Sequence, residues 1–240
     1  MEKNDVIQKI IPILQTIRAY HRHSVVGMDN IPTDGRTLVV VNHSLATYDI
    51  LLLMTAIYSD IGRLPRPLID RLFFKVPYAG ELAQFLGSKQ GSQENAEELL
   101  NQDEIITVAP GGMLEALRPS TERYQLRWDR RIGFCKLAMR TQAPIVLAAC
   151  PKADDLYDVY PNPVTDWFYK NHKVPVFIAR GLGLSPIPRP IKLTHFVSEP
   201  MVPPKLPKDP EEVTQVAIKF HKKVVARMEG LIAEGIKYRK

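Results

Sequence analysis

Apolar residues recur along this chain with two different periods, and the switches between them mark out the elements. Val6, Ile7, Ile10, Ile11, Ile13, Leu14 and Ile17 fall at helical spacing among Lys3, Lys9, Arg18 and Arg22, which predicts an amphipathic helix within residues 1–22. Such a helix packs on its own domain or lies in a membrane interface, and the pattern leaves both open. Residues 24–27 form a short strand candidate, and 37–41 is a near-continuous β-branched run suited to a strand buried on both faces. A helix follows through about residue 58, with Ser44 or Thr47 as its cap and Ile50, Leu51, Leu53, Met54 and Ile57 as its buried stripe.

Pro65, Pro67 and Pro77 punctuate the next stretch, in which Leu68 and Ile69 suggest a strand and Leu72, Phe73 and Phe74 a helix. A brief strand is expected over 84–87, a Ser92-capped helix over 93–101, strands over 104–109 and 144–150, and a helix over 131–141. Residues 151–204 are proline-rich, with a helix expected near 165–170 and strands near 174–179 and 192–198. From Asp209 onward Val213, Val216, Ala217, Phe220, Val224, Val225, Met228, Leu231 and Ile232 make a long helical stripe. The alternation predicts an α/β protein: a mostly parallel central sheet with helices on both faces, preceded by the N-terminal helix. No repeat or linker divides residues 23–240, which read as one domain.

The 240 residues and 45% hydrophobic content suffice for one sizeable core. A net charge of +6 suits an anionic partner such as a phosphate-bearing substrate or an acidic membrane surface. The basic residues are dispersed and no recognition motif accompanies them, so nucleic acid is not expected. Cys135 and Cys150 are unclustered and read as free, reduced thiols. Glu2, Asp5 and Lys9 interrupt any signal-like apolar run, and no stretch matches a membrane span. A cytoplasmic, peripherally membrane-associated protein is the expectation.

Chemistry concentrates at two strand ends. Asn42-His43-Ser44-Leu45-Ala46-Thr47-Tyr48-Asp49 places an imidazole and a carboxylate after the 37–41 strand, as a general base and its partner would be. Their spacing turns through about 600° on a regular helix, so the loop must fold His43 back toward Asp49. Taken alone, this pair is equally an ordinary loop. Pro110-Gly111-Gly112-Met113-Leu114-Glu115 follows the 104–109 strand and again ends in a carboxylate, and its glycine amides are placed to face a substrate oxygen. His21, His23, His172, His195 and His221 lack zinc-site spacing, so they read as surface or packing residues and no metal is implied. No Gly-x-Ser-x-Gly elbow supports Ser44 as a nucleophile. Trp128 and Trp167 suit an aromatic core, an acyl tunnel or a membrane face.

Together the two motifs resemble the phospholipid and glycerol acyltransferase family. The longer His-to-Asp gap and the Pro-Gly-Gly block resemble its branch related to type 2 diacylglycerol acyltransferases and phytyl ester synthases. Tyr124 to Trp128, Arg131 to Phe134 and Ala143 to Val146 look like the family's later blocks. The resemblance implies a glycerol-3-phosphate acyltransferase-like fold over 23–240 and a lipid O-acyltransferase. His43 would be the base and Asp49 would orient and charge-stabilise it. The donor would be acyl-CoA or acyl-ACP as co-substrate, with acyl carrier protein a partner in the second case, and no cofactor. Lys89, Gly111, Gly112, Glu115 and Arg118 are the substrate-binding candidates, with Arg130 and Arg131 as further phosphate-binding candidates. Leu114 stands where phosphate-handling members carry an arginine, which favours a neutral lipid alcohol over lysophosphatidate. A non-catalytic peripheral lipid-binding protein is the rival of another class.

Overall fold

The computed structural model describes residues 3–69, 89–161, 167, 171 and 177–238, with side chains from residue 10 onward except at residue 90. The helix expected at Leu72 to Phe74 and the strand expected over 84–87 lie outside these residues, as does the 165–170 helix except for residue 167. A seven-stranded sheet forms the centre, from β1 (Ser24–Val26), β2 (Thr37–Val41), β3 (Arg66–Ile69), β4 (Lys89–Gln90), β5 (Ile105–Val108), β6 (Ile145–Ala149) and β9 (Thr194–Val197). Its order is β1-β9-β6-β2-β5-β3-β4. Every pairing is parallel except β6 with β9. A separate antiparallel pair joins β7 (Asp158–Tyr160) to β8 (Ile178–Arg180).

The β2 run Thr-Leu-Val-Val-Val is buried throughout because both faces of the sheet are covered. Leu38 and Val40 pack with Leu99 and Leu100 of α3 (Gln93–Asn101), Leu137 of α5 (Gly133–Thr141), and Phe220 and Val224 of α6 (Pro210–Lys237). Val39 and Val41 point the other way, into a cluster with Leu53 and Ile57 of α2 (Tyr48–Ile61). Each such aliphatic side chain contributes about 1.5–3 kcal/mol by leaving water. The cap anticipated at Ser92 is present, its Oγ accepting from the Asn95 amide at 3.1 Å, and Asp209 caps α6 by accepting from the Glu212 amide at 3.1 Å. Thr47 precedes α2 without a side-chain cap bond. Cys135 and Cys150 are free and buried.

The N-terminal helix α1 (Lys3–Tyr20) lies against α2. Ile10, Ile11 and Leu14 face Leu51, Met54 and Leu64 across an apolar groove of about 380 Å³. From residue 10 on, its stripe is therefore turned onto the domain, with Ile13 left outside at 60% exposure. Among the described residues no helix is long and apolar enough to cross a membrane.

Placing a carboxylate in that groove tests the packing. Leu14→Asp is expected to lower stability by about 1–3 kcal/mol in lipid-free buffer. Ile13→Asp should stay within about 0.5 kcal/mol of the parent chain. Urea denaturation that finds the two variants alike would show that this face of α1 makes no intramolecular contact of consequence.

Candidate active site

Parallel register brings the two motifs together. Val40 of β2 is paired with Val108 of β5, so His43 and Gly111, each three residues further on, leave the sheet side by side. On the other flank Val41 pairs with Ala148 of β6, and the Cys150 amide donates to Asn42 Oδ1 at 2.8 Å, which fastens the chain just before His43. The carboxyl ends of parallel strands are where an open α/β sheet presents its ligand crevice.

His43 is half-buried, with Nδ1 3.1 Å from the Ser44 carbonyl. A carbonyl only accepts, so Nδ1 carries the proton and Nε2 keeps its lone pair. Burial pushes the imidazole down to about 4, the charge of Arg118 adds to this, and the Ser44 carbonyl opposes it. His43 is thus neutral near physiological pH. Asp49 sits in the first turn of α2, fully buried, and its Oδ1 accepts from the Ser44 hydroxyl at 3.1 Å. Burial raises this carboxyl to about 7, against the Ser44 bond.

Among the described residues there is no direct His43–Asp49 hydrogen bond, which departs from the expectation that Asp49 holds the imidazole. Ser44 stands between them, its carbonyl on His43 and its hydroxyl on Asp49. The loop reaches this arrangement through Thr47 at φ 59°, a left-handed conformation that β-branched residues avoid. Strain of this kind, about 1–3 kcal/mol, is characteristic of sites whose surroundings over-determine them.

The Pro-Gly-Gly turn leads into the short helix α4 (Gly112–Ala116) and folds Glu115 back beneath itself. A Cβ on Gly111 would lie 1.7 Å from Glu115 Oε2, so this position requires glycine for space. Glu115 is fully buried; Oε2 accepts from the Trp128 indole at 2.9 Å, and Oε1 lies 3.5 Å from Arg118 Nη1. Burial raises its carboxyl to about 7 against the pull of Arg118, the His43 backbone N–H and Trp128. Arg118, also buried, pairs through Nη2 with Asp154. Arg131 clamps the turn from outside, Nη1 donating to the Pro110 and Gly111 carbonyls at 2.7 and 2.9 Å.

These contacts revise the roles anticipated for the binding candidates. The Gly112 amide donates to the Ala109 carbonyl at 3.0 Å, which removes it as an oxyanion donor. Glu115 and Arg118 are the floor of the site, and Arg131 is its brace. Lys89 lies at the sheet edge on β4 and pairs with Glu98 at 2.8 Å. A cleft that reaches Leu45 of the loop after His43 is lined by Arg118, Ser120, Arg123, Asp154 and Tyr157.

His21, His23 and His195 are more than packing residues. His21 Nε2 meets the Tyr48 hydroxyl at 2.7 Å, and its Nδ1 meets the Ile191 carbonyl at 2.9 Å. His23 Nε2 lies 2.9 Å from His195 Nδ1, and His195 Nε2 lies 4.0 Å from Asp49 Oδ2. Nothing in their local sequence signals this, because the partners lie on other elements, 27 residues away for His21 and Tyr48 and 172 for His23 and His195. Asp49, Cys150 and His195 bring a carboxylate, a thiol and an imidazole within 4.8 Å of one another. Burial raises the Cys150 thiol well above its ordinary pKa, so it is a neutral thiol near physiological pH. Trp128 is a core residue, whereas Trp167 is 54% exposed.

The family model described as Acyltransferase matches residues 22–150. A human protein named "DGAT1/2-independent enzyme synthesizing storage lipids" is 28% identical over 193 residues, covering 80% of this chain and 56% of that protein. An uncharacterized protein of Mycobacterium tuberculosis is 33% identical over 143 residues, covering 58% of this chain and 40% of its own length. The chain spans about half the length of the curated relatives it matches. Among solved structures, the 1-acyl-sn-glycerophosphate (LPA) acyltransferase PlsC from Thermotoga maritima superposes with a TM-score of 0.58 at 17% identity, covering 99% of this chain and 83% of that one. The likeness establishes a shared fold.

Gly111→Ala is expected to destabilise the protein by about 1–3 kcal/mol through overpacking against Glu115. In the double variant with Glu115→Gly, which removes the Glu115 Cβ as well as its carboxylate, the clash disappears, so the combined loss should fall short of the sum of the single losses by at least about 0.5 kcal/mol. Strict additivity in urea denaturation would show that the two side chains do not meet.

Proposed function

We propose that this chain, which belongs to the acyltransferase family, moves a fatty acyl group from an acyl thioester to the hydroxyl of a glycerolipid or other lipid alcohol, with His43 as general base. One observation supports this most directly: a neutral imidazole with Nε2 unprotonated, set beside the Pro-Gly-Gly turn on the adjacent parallel strand end. Nε2 takes the proton of the acceptor hydroxyl as its oxygen attacks the thioester carbonyl carbon. Collapse of the tetrahedral intermediate breaks the C–S bond, and the departing thiolate recovers the proton from His43. Asp49, linked through Ser44 and raised to about 7, is ionised in only part of the molecules near neutral pH, and in those its charge favours the transient imidazolium. A thioester is already activated, so the step needs no covalent enzyme intermediate, and acyl-CoA and acyl-ACP are both suitable donors.

A neutral acceptor fits the residues better than lysophosphatidate. Leu114 is partly exposed where the resemblance places an arginine, and Arg118, Arg131 and Lys89 are engaged by Glu115 and Asp154, by the turn carbonyls and by Glu98. The storage-lipid relatives point the same way.

Peripheral membrane contact belongs to this reading. Between β8 and Arg189 the chain forms a turn closed by Gly181 N to Ser185 O at 2.8 Å and Leu182 N to Ile187 O at 2.7 Å. It displays Leu182, Ile187 and a 91% exposed Leu184. Tyr157 of the cleft donates to its Pro186 carbonyl at 3.2 Å, which ties the turn to the site. Arg180 and Arg189 converge on the carboxylate of Asp158, and Arg123 is shared between Asp158 and Asp155, so a basic cluster stands beside these apolar residues, as an anionic lipid surface requires.

With labelled acyl-CoA or acyl-ACP, diacylglycerol or a long-chain alcohol should be acylated faster than lysophosphatidate. His43→Ala should lower kcat about 10²–10⁴-fold. Undiminished turnover in that variant would remove His43 as base, and vesicle binding without turnover on any acceptor would favour a lipid-binding protein instead.

Leu182→Asp combined with Leu184→Asp should weaken cosedimentation with vesicles containing anionic phospholipid by about tenfold or more, from the lost burial of two leucines. Binding equal to the parent chain would move the contact to another surface.

A further inference from the structure

Behind the proposed catalytic loop, a line of buried polar groups runs from the N-terminal helix to Asp49. Parallel pairing of β1 with β9 sets Val25 opposite His195, which brings His23 and His195 ring to ring. We infer that Arg18, His23 and His195 form a hydrogen-bonded line whose tautomers are fixed from one end, and that His195 is a positioning residue presenting an Nε2–H to the free oxygen of Asp49.

The deduction needs only donor and acceptor counting. Arg18 Nε lies 3.1 Å from His23 Nδ1, and a guanidinium can only donate, so His23 Nδ1 accepts. The proton of neutral His23 is then on Nε2, which donates across 2.9 Å to His195 Nδ1. His195 Nδ1 is therefore an acceptor too, and its proton sits on Nε2. That nitrogen faces Asp49 Oδ2, 4.0 Å away, and Oδ2 is buried without a hydrogen-bond partner among the described residues. The other carboxylate oxygen, Oδ1, already accepts from Ser44. Both rings are neutral because burial lowers their pKa, His23 to about 3 and His195 well below the ordinary value.

At 4.0 Å the last contact is longer than a hydrogen bond, and it has room to close as charge grows on Asp49. A donor at Oδ2 stabilises the ionised carboxylate and fixes its plane, so Ser44 meets Asp49 in one orientation. The role rests on the acyltransferase reading given above; the tautomers do not.

Two measurements test the line. In protein with ¹⁵N-labelled histidine near neutral pH, His23 and His195 should both show the Nε2–H tautomer, and Arg18→Ala should remove that preference in His23. An Nδ1–H ring or a doubly protonated ring at either position overturns the inference, whether or not the chain turns over a thioester. In turnover, His195→Ala and His195→Asn should lower kcat about 10- to 150-fold with KM little changed, the worth of a hydrogen bond to a charged group. His195→Gln, whose amide N–H reaches the Nε2 position, should recover most of that loss. Equal loss in the Asn and Gln variants overturns the positioning role. If the parent chain acylates no acceptor, the acyltransferase reading fails while the tautomer measurement still decides the line.

Discussion

Arg118 is the charge on which the site is built. Its guanidinium lies buried between Glu115 and Asp154, and it also adds to the field that keeps His43 neutral. The charge of Asp154 is felt by both Asp49 and Glu115, while Arg118 is the cation paired with Glu115 and Asp154. Burial, with a smaller push from the charge of Asp154, drives Asp49 and Glu115 toward their protonated forms. Breaking a buried pair of this kind costs about 3–5 kcal/mol, because the group left behind remains charged and dry. The local peculiarities follow from serving this pair: glycine at 111 clears space for Glu115, Trp128 gives it an indole N–H, and the turn from β6 carries Asp154.

The His43 imidazole is positioned mainly by backbone. The Ser44 carbonyl chooses the tautomer of His43, Asn42 anchors the strand end, and Glu115 underlies the His43 amide. Asp49 acts one residue removed. The same loop is tied to the N-terminal segment through His21 and Tyr48, and to β9 through His195. The first twenty-odd residues thus reach the site by hydrogen bonds, in addition to covering Leu51 and Met54 with apolar surface.

Much of the frame was legible because it rests on local rules. Buried β-branched runs gave β2, β5 and β6, and Ser92 and Asp209 marked helix starts by their chemistry. His43 and Glu115 stood out because reactive side chains at the ends of apolar strands are conspicuous. The adjacency of β2 and β5, which makes one site of two motifs, was not legible from periodicity, and rested on the family resemblance. The short β7 and the antiparallel turn of β9 against β6 lay in a proline-rich stretch where periodicity fails. His23 and His195 were read as isolated because single histidines carry no local pattern; only the β1–β9 register joins them. Ser44 reads from the sequence as a helix cap and not as a nucleophile; the contacts of its carbonyl with His43 and its hydroxyl with Asp49 exist only in the folded loop.

The site's titrations balance one another in a way that follows from neutral burial. Asp49 and Glu115 have folded pKa values raised from 3.8 and 4.5 to about 7, so the stability they contribute is complete below the unfolded values and is lost as pH rises through 7. His43 and His23 are lowered from 6.5 to about 4 and about 3, so their contribution is complete above 6.5 and is lost as pH falls through those values. Between roughly pH 4.5 and 6.5 the two slopes oppose and largely offset. A dry site holding both acids and bases near their uncharged forms therefore has two properties at once. The imidazole stays uncharged near neutral pH, and the site's sensitivity to acid rests on its buried histidines, His195 among them, and not on its carboxylates.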